Sequence, residues 1–311
     1  MGYLENVREG KEGLPYFFLG TTVIIICFLF FSFLFSIPII ANSITNIGDL
    51  DSINLNQMLS GNFNFFFLLV PFAATFFTSL LIYKEINGLE IKALITSRKK
   101  IDFNRIFFGF LVASILIIIN ILIQFLFFPD TLLWNFNTKL FFTLFLISIF
   151  LIPFQASMEE IFFRGYFMQF LGFIIPQRIF PFLISSFLFG IMHFWNPEVE
   201  KLGSIIIIAY ITMGLFFGAI TLLDEGLELA IGFHIGNNLL LALMLTSDWT
   251  VFQTYSLFID KSTPNPYIYA FMPIVILSVI FLIFAKKYKW KNYKQKLLGI
   301  VKVSNLSLIH I

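Results

Sequence analysis

IFFGFLVASILIIINILIQFLFF, residues 106–128, runs for 23 residues without an ionisable side chain. A helix of that length rises about 34 Å, enough to cross the roughly 30 Å hydrocarbon layer of a bilayer. The run is uniformly apolar and does not alternate with period two, so it reads as a helix and not as a strand of a membrane barrel. Similar runs recur near residues 16–41, 63–83, 139–156, 179–194, 203–223, 227–246 and 269–285, with a further apolar stretch at 160–175. The sequence therefore predicts an all-α polytopic membrane bundle of about eight transmembrane helices, with 1–311 as a single membrane domain. No convincing small-residue cleavage site follows the first run, which reads as a retained helix and not as a signal peptide.

Composition supports the same class. The 311 residues are 59% hydrophobic and 12% charged, with 45 Phe, and the mean hydropathy is +0.91. A soluble domain carries about 25% charged residues, so soluble, collagenous and disordered classes are excluded. Cys27 is the only cysteine, which removes disulfide frameworks and Cys-based zinc sites. A net charge of +2, from 20 Lys and Arg against 18 Asp and Glu, supplies no concentrated basic face and argues against a nucleic-acid partner.

Lys and Arg placement predicts orientation. With the N-terminus inside, Arg8, Lys11, the loop carrying Lys84, Lys92, Arg98, Lys99, Lys100 and Arg105, and the stretch 286–302 all fall on the cytoplasmic side, whereas the loop at 42–62 has no Lys or Arg and carries Asp49 and Asp51. Both termini are expected to be cytoplasmic in a bacterial inner membrane, with 286–311 as a basic tail. KKYKWKNYKQK within that tail could hold anionic lipid at about 1 kcal/mol per basic residue, although a stop signal that fixes topology is the plainer reading.

Ionisable groups inside spans cost roughly 2.5–3.5 kcal/mol each at mid-membrane, so each one present is a candidate for function. Glu159 and Glu160 open SMEEIFFRGYFMQF. Helical spacing puts Arg164 on the face of Glu160, where an ion pair can hold that carboxylate, while Glu159 points about 100° away with no basic partner in the local sequence. His193 follows Phe189 by four residues, and His234 precedes Asn238 by four, so each pair shares a helix face. Gly232 and Gly236 flank His234 as a small-xxx-small pair that admits another helix closely. Gly214 and Gly218 form a second such pair, assigned to packing. His310 lies in the terminal tail and is set aside.

Two carboxylates, two imidazoles and an amide are the parts of a water-activating site. In one version Glu159, His193 and His234 bind zinc, which lowers the pKa of bound water to about 7. In the other, Glu159 and His193 deprotonate water while His234 and Asn238 donate to the oxyanion, which is worth roughly 3–4 kcal/mol per donor. HExxH, GxSxG and paired intramembrane Asp residues are all missing.

EEIFFRG fits EExxxR, FGIMH fits FxxxH and HIGNN fits HxxxN. In order and spacing these resemble the CAAX prenyl protease 2 family, also called CPBP or Abi proteins, over about 80 residues from Glu159 to Asn238. The resemblance implies an intramembrane endopeptidase with 155–246 as its catalytic region. It implies Glu159 and His193 as the water pair, Glu160 and Arg164 as their support, and His234 and Asn238 as the oxyanion donors. The expected partners are a peptide or lipidated protein substrate, whether a prenylated C-terminus, a leader peptide or an anchored protein, together with the lipid bilayer. A non-catalytic membrane scaffold or immunity protein of the same fold is the alternative. A proton-coupled transporter is weaker, because no repeated halves are visible.

One expectation strains the span assignment. If 139–156 crosses inward and 179–194 crosses back, Glu159 and His193 lie at opposite edges, about 22 Å apart. A break at Pro153, leaving 155–175 as an embedded helix, would bring the Glu pair to mid-depth. The segment 247–267 is read as an outer connecting loop, long enough for a lid.

Overall fold

The computed structural model describes residues 2–9, 11, 14–46 and 55–301. Asp49, Asp51 and His310 lie outside the described residues. After a 3₁₀ helix at Tyr3–Glu9 come α1 (Leu14–Asn46), α2 (Leu55–Glu85), the short α3 (Ile91–Ile95) and α4 (Phe103–Phe127). Strand β1 (Leu132–Trp134) precedes α5 (Thr138–Glu160), which continues through a π-helical turn (Ile161–Phe167) into α6 (Met168–Ile174). Then follow α7 (Ile179–Ile191), α8 (Pro197–Leu202), α9 (Ile207–Asp224), α10 (Glu228–Met244), β2 (Leu245–Thr246), β3 (Phe258–Asp260), α11 (Pro266–Tyr288) and α12 (Tyr293–Leu298).

Among the described residues six helices are long and apolar enough to cross a membrane, and Ile179–Ile191 and Glu228–Met244 are shorter apolar helices. The eight apolar runs thus correspond to six long helices and two short ones. At 13 residues α7 rises only about 20 Å, so it does not cross by itself.

The expected break at Pro153 does not occur. Thr138–Ile174 is one 37-residue helical stretch with Pro153 inside it, because neighbouring helices in an apolar bundle tolerate a proline that would stop a helix in water. Irregularity comes later, at the π-helical turn immediately after Glu160. Glu159 therefore lies 15 residues before the end of the long helix and His193 lies 14 residues beyond the start of α7, each about 21–22 Å from the shared turn. The two residues are level, which removes the 22 Å separation that a helix ending at 156 would impose.

Close backbone approach holds the two short helices in place. A Cβ on Gly109 of α4 would come 2.5 Å from Leu229 O, and one on Gly236 of α10 would come 2.5 Å from Phe110 O. Gly232 lies against the carbonyl of Ile106, so α10 and α4 touch along their backbones. A Cβ on Gly214 of α9 would likewise meet the backbone of Ser186, and one on Gly218 would come 2.8 Å from the Phe182 ring, so these glycines seat α7 on α9. Apolar side chains such as Phe33 and Phe127, each 70% exposed, face outward from α1 and α4 as lipid-facing residues do.

The two ends differ in character. At one end β3 pairs antiparallel with β1 and parallel with β2, so the 247–267 stretch is pinned by strand pairing and by Thr254 Oγ1, which donates to Ala242 O at 2.7 Å, and does not hang as a free lid. At the other end Arg98 pairs with Asp224 and Glu228 at 2.9 Å. There the N-terminal 3₁₀ helix is drawn in by Tyr3 Oη, which donates to Leu94 O at 2.5 Å. Gly232→Val should force α10 off α4 and cost about 1–3 kcal/mol; denaturant unfolding in detergent micelles reads the loss, and wild-type stability in the variant would contradict this packing.

Candidate active site

Gln155 and Glu159 sit one helical turn apart on α5 and share a face. Gln155 Nε2 donates to Glu159 Oε1 at 2.6 Å, and Gln155 Oε1 accepts from Asn238 Nδ2 on α10 at 3.0 Å. Asn237 Nδ2 donates in turn to Asn238 Oδ1 at 3.0 Å. A chain of three amides thus ends on one carboxylate oxygen. The other oxygen, Glu159 Oε2, is buried without a hydrogen bond and lies 3.8 Å from His234 Nε2. A buried acceptor left open is costly in a packed structure.

Glu160 is held as its spacing predicts. Arg164 Nη1 donates to both of its oxygens, at 3.0 and 3.1 Å, and both side chains are fully buried. The same carboxylate meets His234 Nδ1 at 2.8 Å, which turns Nε2 toward Glu159. Arg164 is itself fixed by donation to Gly214 O at 3.2 Å and by the Phe189 ring, whose centroid lies 4.3 Å from the guanidinium carbon. On the far side of this turn Tyr3 Oη lies 3.4 Å from the carbonyl of Arg164.

His193 occupies the turn that follows α7, with Nδ1 2.7 Å from Phe189 O. A carbonyl only accepts, so Nδ1 carries the proton and the lone pair of the neutral ring lies on Nε2. The ring stacks on Tyr210 at 4.4 Å, and Asn196 Nδ2 donates to Tyr210 Oη at 3.3 Å. Nearby on α8, burial pushes the Glu198 carboxyl above its ordinary range, against the lowering effect of the Val251 amide that it accepts. The Phe189 ring lies between the two imidazoles, 4.8 Å from His193 and 6.2 Å from His234.

All six sequence candidates, Glu159, Glu160, Arg164, His193, His234 and Asn238, therefore gather around Phe189 and the π-helical turn. Two others were not foreseen. Gln155 had a signal, its four-residue spacing from Glu159. Tyr210 had none, since only the packing of α9 on α7 brings it to His193. Among the described residues no three His, Cys, Asp or Glu side chains are grouped closely enough to hold a metal ion.

Removing Arg164 strands a fully buried carboxylate. Arg164→Met should cost about 3–5 kcal/mol, while Glu160→Gln combined with Arg164→Met should recover much of that loss; melting temperatures in detergent compare the two, and equal stability of single and double variants would argue against the pairing.

A family model for type II CAAX prenyl endopeptidase Rce1-like proteins matches residues 138–240, the stretch that contains the six candidates together with Gln155 and Tyr210. The uncharacterized protein YyaK of Bacillus subtilis (strain 168) is 32% identical over 206 residues, covering 66% of this chain and 68% of its own length. No solved structure matches at a significant level. With the three motifs on adjoining helices and a relative aligned over two thirds of both chains, the protein is a multi-pass membrane protein of the Rce1-like family of type II CAAX prenyl endopeptidases.

Proposed function

We propose that the protein is an intramembrane endopeptidase that hydrolyses a peptide bond of a membrane-associated substrate with water activated by Glu159 and His193. The observation that carries this reading is the asymmetry of Glu159. One oxygen is fixed by Gln155 at 2.6 Å, and the other is buried with no hydrogen bond, facing an imidazole. Family membership supports CAAX-type protease chemistry.

The steps follow from the donors. Glu159 Oε2 takes one proton from water while the lone pair on His193 Nε2 accepts a hydrogen bond from its other hydrogen, and the resulting hydroxide adds to the carbonyl carbon. Asn238 uses one Nδ2 hydrogen on Gln155 and has a second for the oxyanion; His234, whose Nδ1 proton is directed at Glu160, joins it through Nε2–H only as the doubly protonated ring. Glu160 and Arg164 touch no reacting atom; they hold His234 at Nδ1. When the C–N bond breaks, the proton first taken from water passes to the leaving nitrogen.

The substrate class is a polypeptide already at the membrane, be it a prenylated C-terminus, a leader peptide or an anchored protein. Met192, Phe194 and Trp195, exposed beside His193, offer an apolar approach. The basic loops gather at the end of the bundle that holds Arg98, Arg105 and the end of α11, which supports cytoplasmic termini in a bacterial cell membrane.

Glu159→Gln and His193→Ala should each lower kcat by about 10²–10⁴, and Asn238→Ala by about 10²–10³, in folded protein assayed with quenched fluorescent peptides with and without prenyl groups. Full activity in the first two variants would sink the mechanism. Inhibition by a strong zinc chelator, reversed by added zinc, would replace the glutamate scheme with a metal one. Gln155→Leu should lower kcat roughly 10²-fold by freeing the Glu159 carboxylate, with KM little changed.

A further inference from the structure

Well away from the acidic pair, a cavity of about 300 Å³ opens where α9 and α11 end and α4 begins. Arg98, Arg105, Lys289, Lys291 and Lys296 line it, against a single carboxylate, Asp224. That carboxylate is fully engaged, since Arg98 and Arg105 pair with it and the Trp290 indole donates to it at 2.9 Å; the two arginines are in turn paired with Glu228 at 2.9 Å and Asp102 at 3.1 Å, so the unpaired cations are among the lysines. Lys296 is paired with Glu225 at 3.3 Å. Lys289 and Lys291 have no ion pair among the described residues and stand exposed at the rim.

The backbone is shaped for this. Lys289 (φ 50°) and Asn292 (φ 58°) are two left-handed non-glycine residues within four positions, and they fold the chain back so that Trp290 is buried against Asp224 while the lysines on either side remain outside. Backbone held in so sparsely populated a region persists where the surroundings over-determine it, here through the indole and the ion pairs. The surrounding surface changes from charged to apolar within a turn or two. Phe103 and Phe107 on α4 and Leu282 on α11 are each more than 60% exposed, and Lys287 lies over the Phe108 ring at 4.1 Å. A surplus of cation at the level where helices leave the hydrocarbon, with exposed apolar faces running away from it, matches a headgroup with its acyl chains.

We infer that this cavity binds the phosphate of an anionic phospholipid headgroup, with Lys289 and Lys291 as the recognising cations and the faces of α4 and α11 bearing the chains. The recognised chemistry is a phosphate, and the lipid is its source. The inference does not rest on the proposed protease activity.

The test is native mass spectrometry of the full chain in neutral detergent, titrated with phosphatidylglycerol, phosphatidylcholine or inorganic phosphate. Phosphatidylglycerol should bind more tightly than phosphatidylcholine, and Lys289→Gln with Lys291→Gln should weaken it roughly thirtyfold. Both lysines are exposed, so the variant keeps its fold. Lys286→Gln with Lys294→Gln, the same charge change outside the cavity, should leave binding unchanged. Equal binding of the two lipids, equal losses in the two double variants, or inorganic phosphate bound as tightly as the lipid would each overturn the assignment.

Discussion

Everything at the centre of this bundle depends on one buried ion pair. Glu160 and Arg164 are both fully removed from solvent, and separated charges in such a setting carry a penalty of several kcal/mol apiece. Their attraction offsets that penalty only with near-ideal geometry and full hydrogen bonding. The structure supplies two contacts from Arg164 to the carboxylate, the Gly214 carbonyl and the faces of Phe189 and Phe217, and leaves only the Arg164 Nε hydrogen without a partner among the described residues. The pair in turn fixes which way His234 faces, and His234 fixes what lies opposite Glu159.

The architecture then serves to bring this pair level with His193. A helix of ordinary span length would leave the acidic pair at its edge. Continuing Thr138–Ile174 well past that length, and stopping α7 after 13 residues, puts the two motifs at a common depth. The π-helical turn immediately beyond Glu160 falls where such irregularities are often found, beside functional side chains. The N-terminal 3₁₀ helix braces the same turn from the basic end through Tyr3, whose burial and neighbouring carboxylates push its phenol well above the ordinary range.

The glycines account for the proximity of the helices. Apolar side chains gain little by leaving lipid for a protein interface, so close backbone approach and buried polar contacts must hold the bundle together. Gly109, Gly232 and Gly236 let α4 and α10 touch, and that contact places His234 and Asn238 opposite α5. The polar chain from Asn237 to Glu159 spans the remaining gap.

By itself the sequence determined what local rules control: long apolar runs, a helical class, the i,i+4 match of Glu160 with Arg164, and three motifs of ionisable residues in membrane segments. Those features depend on composition and on a 3.6-residue period, which are properties of short stretches. Tertiary structure alone decided that Pro153 does not break its helix, that Glu159 and His193 lie at one depth, that Tyr210 stacks on His193 and that Gln155 reaches Asn238. Each of these depends on which helices are neighbours, and residues such as Gln155 and Asn238, 83 positions apart, meet only after the helices have packed.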